Sequence, residues 1–437
     1  MLRRTDLRES RVSPSELAAL MPRATVDIHA ALEAVNPLIA DVRERGEAAL
    51  LDQAERFDGV RPNAIRVPEE AIRDALAELD PAVRDGLEIA IANMRIGHEA
   101  QLPEERRTEV IPGGFVEQRW IPVRRVGLYV PGGLAVYPSS VVMNVVAAQV
   151  AGVPELAVTS PAQAEFGGLP HPTILAACAL LGVTEVYAAG GAGSIAMFAY
   201  GARNIEGETI CEPVDVVTGP GNIYVAAAKR AVMGTVGIDS EAGTTEIGIV
   251  ADGAANPSYV AFDLISQAEH DPAAASVLIT DSASLIDAVD DELERLVPTM
   301  KHSGRIETAL TGPQSGAILT RDLAQSVEVA NAYGAEHLEI QTADPQAVSR
   351  QIHNAGAIFL GDFSPVPLGD YVSGSNHVLP TGGTARFASG LGVQAFLKSV
   401  QVIDYDAPAL AKLAAPLRAL AVAEDLPAHA DAVDARG

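Results

Sequence analysis

The chain has 437 residues, enough for about three domains or two large ones, and its 48% hydrophobic and 4% aromatic content predicts an aliphatic core. This composition excludes a disordered or collagen-like chain. The formal net charge of −26 argues against binding to nucleic acid or to an anionic membrane surface, because both would repel an acidic protein.

Cysteine usage and the N-terminus indicate the cellular compartment. Cys178 and Cys211 cannot form a disulfide framework and neither belongs to a CxxC pair, so we expect reduced thiols. The first residues, MLRRTDLRES, have no apolar stretch behind their arginines and do not predict a signal peptide. No apolar run reaches about 18 residues without a charge, proline or glycine, so we expect no membrane span and a cytoplasmic protein.

The sequence pattern in the first half of the chain changes from helices alone to strands that alternate with helices. Residues 27–100 repeat apolar positions at helical spacing, which predicts helices. From residue 122, short apolar runs end in glycine-rich turns, with helical patterns between them. The predicted strands are 126–133, 155–161, 184–191 and 214–222, and the predicted helices are 139–152, 171–182 and 194–203.

A second set of elements repeats this alternation. The predicted strands are 246–252, 276–282, 337–342 and 356–361, with helices at 258–271 and 284–297. The pattern predicts two Rossmann-like α/β domains with parallel-dominated sheets, a helical N-terminal segment and a helical C-terminal tail. The expected boundaries are a helical arm at 1–24, a discontinuous α/β domain from 25–136 and 247–391, an α/β domain at 137–246, and a tail at 392–437.

Two pairs of polar residues are candidates for chemistry. Gln267 and His270 lie three residues apart in a predicted helix, so both can face one ligand, although a polar helix end would look the same. Glu336 and His337 precede a short predicted strand, near a sheet edge of the kind where α/β folds place their sites. In a turn, both could act as bases on one substrate; a surface pair without a role is the alternative.

The glycine-rich segment 369–390 cannot form an ordinary helix or strand, and long ordered loops are usually functional. It contains Asp370, a possible carboxylate ligand, together with His377. His429 is the only histidine of the tail, and by itself it predicts nothing more than an exposed side chain. Glutamine, histidine and aspartate without a thiolate suit a catalytic zinc ion, but no spacing in the sequence requires these residues to converge.

Two glycine-rich turns could bind the phosphates of a nucleotide. Gly191-Ala192-Gly193 follows a predicted strand and opens a helix, as in a truncated dinucleotide turn. The third glycine of that pattern is missing, so a close-packed junction between strand and helix explains the turn equally well. The turn at 218–222 also leads into a helix and could accommodate an anion.

Together these segments resemble the histidinol dehydrogenase family. The matching motifs run in one order and are VPGGLAVYPSSVVMN (130–144), GPGNIYVAAAKR (219–230), GIDSEAGTTE (237–246), DLISQAEHDP (263–272), AEHLEI (335–340), AGAIFLG (355–361) and GDYVSGSNHVLPTGGTARFASGL (369–391), with EDLPAHADAV (424–433) in the tail. Motifs of this length in one order are far more specific than any single short pattern.

The resemblance implies a zinc- and NAD-dependent enzyme that oxidises L-histidinol to L-histidine through L-histidinaldehyde, in the last steps of histidine biosynthesis. It implies zinc ligands at Gln267, His270, Asp370 and His429, and acid–base residues at Glu336 and His337. It implies substrate contacts at Thr245, Gln267, His270, His337, Asp370, His377, Glu424 and His429, and cofactor contacts at Tyr137, Gly193 and Asn222. The discontinuous domain would then carry most of the metal and acid–base residues, and the 137–246 domain would contact the cofactor.

The resemblance also implies a homodimer whose tails cross, so that Glu424 and His429 complete the partner's site. The chain departs from the family pattern at Gly193, where the family has a glutamine, and at Thr244, where it has a proline. Other interpretations are a related zinc- and NAD-dependent alcohol dehydrogenase for another amino alcohol or a sulfonated diol, a zinc hydrolase, and a non-catalytic binding protein. A turnover assay that offers L-histidinol beside alternative alcohols distinguishes the related alcohol dehydrogenase from an enzyme specific for histidinol.

Overall fold

The computed structural model describes residues 1–10, 13–24, 27–132, 136–241 and 243–436. The end of the predicted strand 126–133 and the predicted domain boundary at residue 25 fall outside these ranges. The described ranges also leave out residues 133–135 and 242 of the matching motifs and the last residue of the predicted tail.

The strands of the described residues, in chain order, are β1 (Arg4–Asp6), β2 (Arg106–Ile111), β3 (Gly114–Pro122), β4 (Arg125–Tyr129), β5 (Glu155–Ser160), β6 (Val186–Ala188), β7 (Ala202–Arg203), β8 (Thr209–Cys211), β9 (Val216–Thr218), β10 (Gly237–Ile238), β11 (Glu246–Ala251), β12 (Ala275–Thr280), β13 (Gly316–Leu319), β14 (His337–Gln341), β15 (Ala357–Leu360) and β16 (Leu397–Tyr405).

The helices of the same residues are α1 (Pro14–Leu20), α2 (Ile28–Arg45), α3 (Glu47–Phe57), α4 (Glu69–Ala77), α5 (Pro81–Glu99), α6 (Pro138–Val150), α7 (Pro172–Leu180), α8 (Gly191–Tyr200), α9 (Ile223–Val232), α10 (Pro257–Ala268), α11 (Ala283–Leu296), α12 (Ser303–Thr311), α13 (Leu323–Tyr333), α14 (Pro345–Ser349), α15 (Val366–Tyr371), α16 (Ala407–Ala423) and α17 (Pro427–Asp434).

Two parallel sheets form the centre of the molecule. A five-stranded sheet has the order β10-β9-β4-β5-β6, and a six-stranded sheet has the order β1-β13-β12-β11-β14-β15. All pairings within each of these sheets are parallel. The predicted α/β class with parallel-dominated sheets is therefore confirmed, because strand and helix alternate along the chain as parallel crossovers require.

Helices cover both faces of both sheets, which buries the apolar strands completely. On the five-stranded sheet, α4 to α7 pack on one face, and α2, α3, α8 and α9 pack on the other. On the six-stranded sheet, α10 to α12 pack on one face, and α1, α13 and α14 on the other. The core is built mainly from valine, alanine, leucine and isoleucine, as the low aromatic content predicted.

Side-chain caps determine where the helices nearest the sheet edges begin. Asn222 begins α9, and its Oδ1 accepts hydrogen bonds from the peptide nitrogens of Tyr224 and Val225. Asn256 caps α10 in the same way and is followed by a proline, which suits the first position of a helix. Both helices therefore start at defined points next to the strands that precede them.

The predicted domain boundaries are wrong for the segment 25–136. Strand β4 lies in the middle of the five-stranded sheet, between β5 and β9, and α2 to α5 pack on that sheet. Helices α2 to α5 and strand β4 therefore belong with 137–241 and not with 247–391, whereas β2 and β3 form a separate sheet with β16 of the tail. An apolar helix face shows that a helix is covered, but its local pattern does not say which sheet covers it.

The two ends of the chain also differ from the prediction. The segment 1–24 begins with β1, which pairs with β13 at the edge of the six-stranded sheet, and only α1 is helical. The tail begins with β16, which pairs along its whole length with β3 in an antiparallel sheet of β16, β3 and β2. Most of β16 is exposed, so its sequence lacks the alternating apolar pattern that would have predicted a strand. Within the described ranges, no helix is long and apolar enough to cross a membrane.

Candidate active site

A cavity of about 1500 Å³ is lined by residues from both parallel sheets. The five-stranded sheet contributes the turns that follow β4, β5, β6 and β9, at the carboxyl ends of its strands. The six-stranded sheet contributes Thr245, Ala273 and Glu336, which precede β11, β12 and β14 at the amino ends of those strands. The predicted acid–imidazole pair thus lies at an amino edge and faces the carboxyl edge of the other sheet, where α/β folds bind ligands.

Glu336 lies in this cavity with its carboxylate almost inaccessible to solvent. Its Oε2 accepts a hydrogen bond from the Thr245 hydroxyl at 2.6 Å and one from the peptide nitrogen of Glu246 at 2.9 Å. Burial raises the pKa of Glu336 to about 8, against the lowering effect of these two hydrogen bonds. A carboxyl group with this pKa can take up and release a proton near neutral pH.

His337 is the first residue of β14 and is also buried. Its Nδ1 lies 3.3 Å from the carbonyl oxygen of Glu246. A carbonyl only accepts, so we assign the proton to Nδ1, which leaves a lone pair on Nε2. That Nε2 has no hydrogen-bond partner among the described residues and lies 3.8 Å from Oδ1 of Asp370. Burial lowers the pKa of His337, which favours the neutral base.

Gln267 is connected to Glu336 through Thr245. The side-chain Nε2 of Gln267 donates to the Thr245 hydroxyl at 2.6 Å, and that hydroxyl donates to Glu336. This direction of donation orients the amide so that its Oε1 is free to act as an acceptor or ligand. The Oε1 atom is buried and has no partner in the described part of the chain.

His270, Asp370 and His377 complete the cluster. The helix that carries Gln267 ends at Ala268, so His270 lies in the turn after α10 and not on the helix as predicted. Asp370 lies in the short helix α15, so the predicted loop is partly helical at its start. Burial lowers the pKa of both histidines, and the nearby carboxylate of Asp370 opposes this effect.

His377 is held in one orientation by two hydrogen bonds. Its Nδ1 lies 3.0 Å from the carbonyl oxygen of Asp370, and its Nε2 lies 2.9 Å from the hydroxyl of Ser140. The carbonyl requires a proton on Nδ1, so Nε2 accepts from Ser140. Ser140 lies in α6 of the five-stranded sheet's domain, so this contact connects the two halves of the site.

The residue types of Gln267, His270 and Asp370 suit a zinc ion, although the three residues come from separate elements. No group of three histidine, cysteine, aspartate or glutamate side chains in ligand geometry occurs within the described ranges. Glutamine is not among those residue types, and Gln267, three positions before His270, supplies a buried oxygen without a partner among the described residues. Neutral imidazole, amide oxygen and carboxylate are ligands that zinc accepts at catalytic sites.

The predicted cofactor residues line the same cavity. The ring of Tyr137 stacks on that of His270, with centroids 6.4 Å apart and planes at 5°. Asn222 lies at the start of α9, where its oxygen is already used by the cap. At Gly193 a Cβ atom would overlap Oε1 of Gln53, so the Gln53 side chain occupies the space next to this glycine.

The tail residues do not join the site of their own chain in this structure. Glu424 follows α16 and His429 lies in α17, and both are exposed. Neither is among the described residues that line the cavity. His429, the predicted fourth zinc ligand, and Glu424, a predicted substrate contact, can therefore take part only in the site of another subunit.

Sequence patterns missed the residues that hold the two bases in place. Nη1 of Arg23, in the segment after α1, donates to both carboxylate oxygens of Glu246 at 3.0 and 2.8 Å. The backbone of Glu246 in turn contacts Glu336 and His337. Burial raises the pKa of the Glu246 carboxyl to about 7. No short-range signal predicts these contacts, since Arg23 and Glu246 are 223 positions apart.

The fold and the site define an α/β protein with two buried titratable side chains, Glu336 and His337, in a cleft of about 1500 Å³ between two parallel sheets. Comparisons with known proteins identify the family. The sequence profile of histidinol dehydrogenase matches residues 21–437. The chain belongs to the histidinol dehydrogenase family.

Individual members of the family are similar to this chain over its whole length. The histidinol dehydrogenase of Thermobifida fusca is 62% identical over 436 residues, which cover 100% of this chain and 98% of the relative. The histidinol dehydrogenase of Streptomyces avermitilis is 58% identical over 438 residues, with the same two coverages. The crystal structure of histidinol dehydrogenase from Elizabethkingia anophelis superposes with a TM-score of 0.91 at 29% identity, covering 100% of this chain and 98% of that one.

Proposed function

We propose that the protein catalyses the oxidation of L-histidinol to L-histidine through L-histidinaldehyde, with two molecules of NAD⁺, in the last steps of histidine biosynthesis. The family assignment supports this reaction. The observation that carries it furthest is the hydrogen-bonded chain from Glu336 through Thr245 to Gln267, next to the free Nε2 of His337. It supports a site in which two different bases act on one substrate.

The residues that would hold zinc are Gln267, His270 and Asp370, with His429 of a second subunit as the fourth ligand. When bound, zinc would supply a positive charge that attracts and orients the imidazole and amine of the substrate. Burial lowers the pKa of His270 and of His337, which favours the neutral imidazole that a ligand or a base needs. The cofactor would lie along the turns of the five-stranded sheet, in contact with Tyr137 and Asn222, and its nicotinamide would accept hydride.

His337 would remove the hydroxyl proton of the substrate in each oxidation. The proton would move to Nε2, because Nδ1 is directed at the carbonyl oxygen of Glu246. The ring cannot rotate freely, since it is buried at the start of β14. A positioned base of this kind contributes about 10²–10⁴-fold to the rate.

Glu336 would remove a proton from the water that attacks the aldehyde. Its Oε2 is occupied by the Thr245 hydroxyl and the Glu246 peptide nitrogen, which leaves Oε1 as the oxygen that contacts water. With its pKa near 8, the carboxyl group can accept this proton and return it to solvent close to neutral pH. Two neighbouring bases therefore serve two consecutive oxidations in one cleft.

The substrate would be held by Thr245 and His377, both of which line the cavity, and by Glu424 of the second subunit. Both ring nitrogens of His377 are hydrogen-bonded in this structure, so a hydrogen bond from its Nε2 to the substrate would have to replace the one with Ser140. The other substrate contacts are the ligand and base residues already named.

A homodimer with exchanged tails accounts for the position of Glu424 and His429. Within the chain, helix α17 packs mainly on α16, and α16 exposes Leu420 and Val422, each with 65% of its surface accessible. Large exposed apolar side chains on one element are typical of an interface. A tail that reaches the partner would cover these side chains and bring His429 to the ligand set.

A stoichiometric turnover assay tests the proposal. Purified protein is incubated with L-histidinol, NAD⁺ and zinc, and reduced cofactor is counted per histidine formed. We expect a ratio of two. A sulfonated diol and other amino alcohols are offered in parallel; preference for one of them, or histidine formation without reduced cofactor, would disprove the proposed reaction.

A further inference from the structure

One face of β14 carries polar residues where its neighbour carries apolar ones. His337, Glu339 and Gln341 alternate along the strand and face α10 to α12, whereas Leu338 and Ile340 face the opposite core. The residues beside the three polar ones in β11 are Ile247, Ile249 and Ala251, all buried in the apolar layer. Burying polar groups in such a layer is costly unless each is hydrogen-bonded.

Glu339 and Gln341 form a polar bridge with Asp263 of α10. The Nε2 of Gln341 donates to Oδ2 of Asp263 at 3.1 Å and to Oε2 of Glu339 at 3.0 Å. The exposed fractions of these residues are 7% for Asp263, 2% for Glu339 and 3% for Gln341. Burial raises the pKa of both carboxyl groups.

The bridge connects the elements that carry the ligand-type side chains. Asp263 lies four residues before Gln267 on the same helix, so the two side chains are on one face of α10. The other oxygen of Glu339, Oε1, accepts a hydrogen bond from the peptide nitrogen of Val366 at 3.2 Å. Val366 begins α15, the helix whose last turn contains Asp370.

We infer that Asp263, Glu339 and Gln341 are positioning residues, which hold α10 and α15 at fixed distances from β14 and so keep Gln267 and Asp370 in place beside His337. This inference rests on the proposed metal site of the enzyme. None of the three residues lines the cavity. They act by connecting three backbone elements behind the site.

The test compares substitutions that break or keep the contact to α15. Glu339→Met preserves volume but removes the acceptor for the Val366 peptide nitrogen. Glu339→Gln keeps an acceptor for Val366 and a donor for Asp263, and Gln341 can turn its own Oε1, which lacks a partner among the described residues, towards the new donor. Gln325→Met is the matched control, because Gln325 is a buried glutamine that connects Leu7 and Arg321 on the opposite face of the same sheet.

The measurements are the rate of zinc loss to excess chelator, kcat with L-histidinol, and KM for NAD⁺. For Glu339→Met we expect zinc loss about tenfold to 100-fold faster and a lower kcat, with KM for NAD⁺ unchanged. Glu339→Gln and Gln325→Met should behave as the wild type. Zinc loss and kcat at wild-type levels in Glu339→Met would overturn the inference, as would an equal effect in the Gln325→Met control.

If Glu339→Met does not fold, a second variant tests the inference. Asp263→Leu combined with Glu339→Met leaves neither carboxyl group buried without its partner, and apolar replacement of a buried pair is often tolerated. For this double variant we again expect faster zinc loss and a lower kcat, with KM for NAD⁺ unchanged, and wild-type values would again overturn the inference. Zinc loss is measured without substrate, so a wild type that binds zinc but fails to oxidise histidinol would refute the proposed reaction and leave this inference to be judged on metal retention.

Discussion

Replacing Glu336 by glutamine should remove a large pH dependence from the stability of the metal-free protein. The folded protein binds the Glu336 proton more tightly than the unfolded chain, since burial raises its pKa from 4.5 to about 8. As the pH rises from 4.5 to 8, the unfolded chain has lost this proton while the folded protein retains it, so the free energy of unfolding falls; it levels off above pH 8.

The structure gives the size of the effect. At 1.36 kcal/mol per pH unit, a pKa change from 4.5 to about 8 corresponds to about 5 kcal/mol. The glutamine variant does not titrate, and its Oε1 can still accept from the Thr245 hydroxyl and the Glu246 peptide nitrogen. The stability advantage of Glu336→Gln over the wild type should therefore grow by about 1.4 kcal/mol per pH unit across this range.

Urea denaturation of both metal-free proteins between pH 5 and pH 9 measures this difference. Glu328→Gln serves as the control, because Glu328 is an exposed glutamate on α13 and its replacement removes the same charge from the surface. If the difference between Glu336→Gln and the wild type were the same at pH 5 and pH 9, burial would not raise the pKa of this carboxyl group, and its assignment as a base near neutral pH would be wrong.

His337→Asn should slow both oxidations by about 10²–10⁴-fold, whereas Glu336→Gln should slow conversion of the aldehyde more than that of the alcohol; equal loss of both steps in Glu336→Gln, measured with each substrate separately, would contradict the division of roles. Removing the metal with a chelator should abolish turnover and zinc should restore it; full activity of metal-free protein would remove the metal from the reaction. Mixing His337→Asn and His429→Asn subunits should restore about a quarter of wild-type activity if tails are exchanged, since random pairing makes one complete site in half of the dimers; no recovery would mean that the tails stay on their own subunits. Gly193→Ala should change the free energy of unfolding by less than about 1 kcal/mol, because the overlapping atom is the end of the flexible Gln53 side chain and alanine favours helix α8; a urea denaturation that shows a loss of several kcal/mol would refute this packing argument.

Local patterns in the sequence were sufficient for the fold class and for most elements around the site. Apolar runs that end in glycine turns predicted β4, β5, β6, β9, β11, β12, β14 and β15, because a strand buried on both faces has a continuous apolar sequence. The alternation of polar residues at 337, 339 and 341 was also visible as a departure from such a run. It could have indicated a polar cluster inside the core.

Convergence of the site residues was decided only by the tertiary structure. Thr245 and Glu336 are 91 positions apart, and His377 and Ser140 are 237 apart, yet each pair shares a hydrogen bond. Their meeting depends on which sheet each segment joins, and that choice was mispredicted for α2 to α5 and β4. The sequence by itself determined the alternation of strands and helices and the chemical types of the site residues, because burial leaves a local pattern. Packing between distant segments decides which edges of the two sheets face each other. Such packing leaves no local pattern in the sequence.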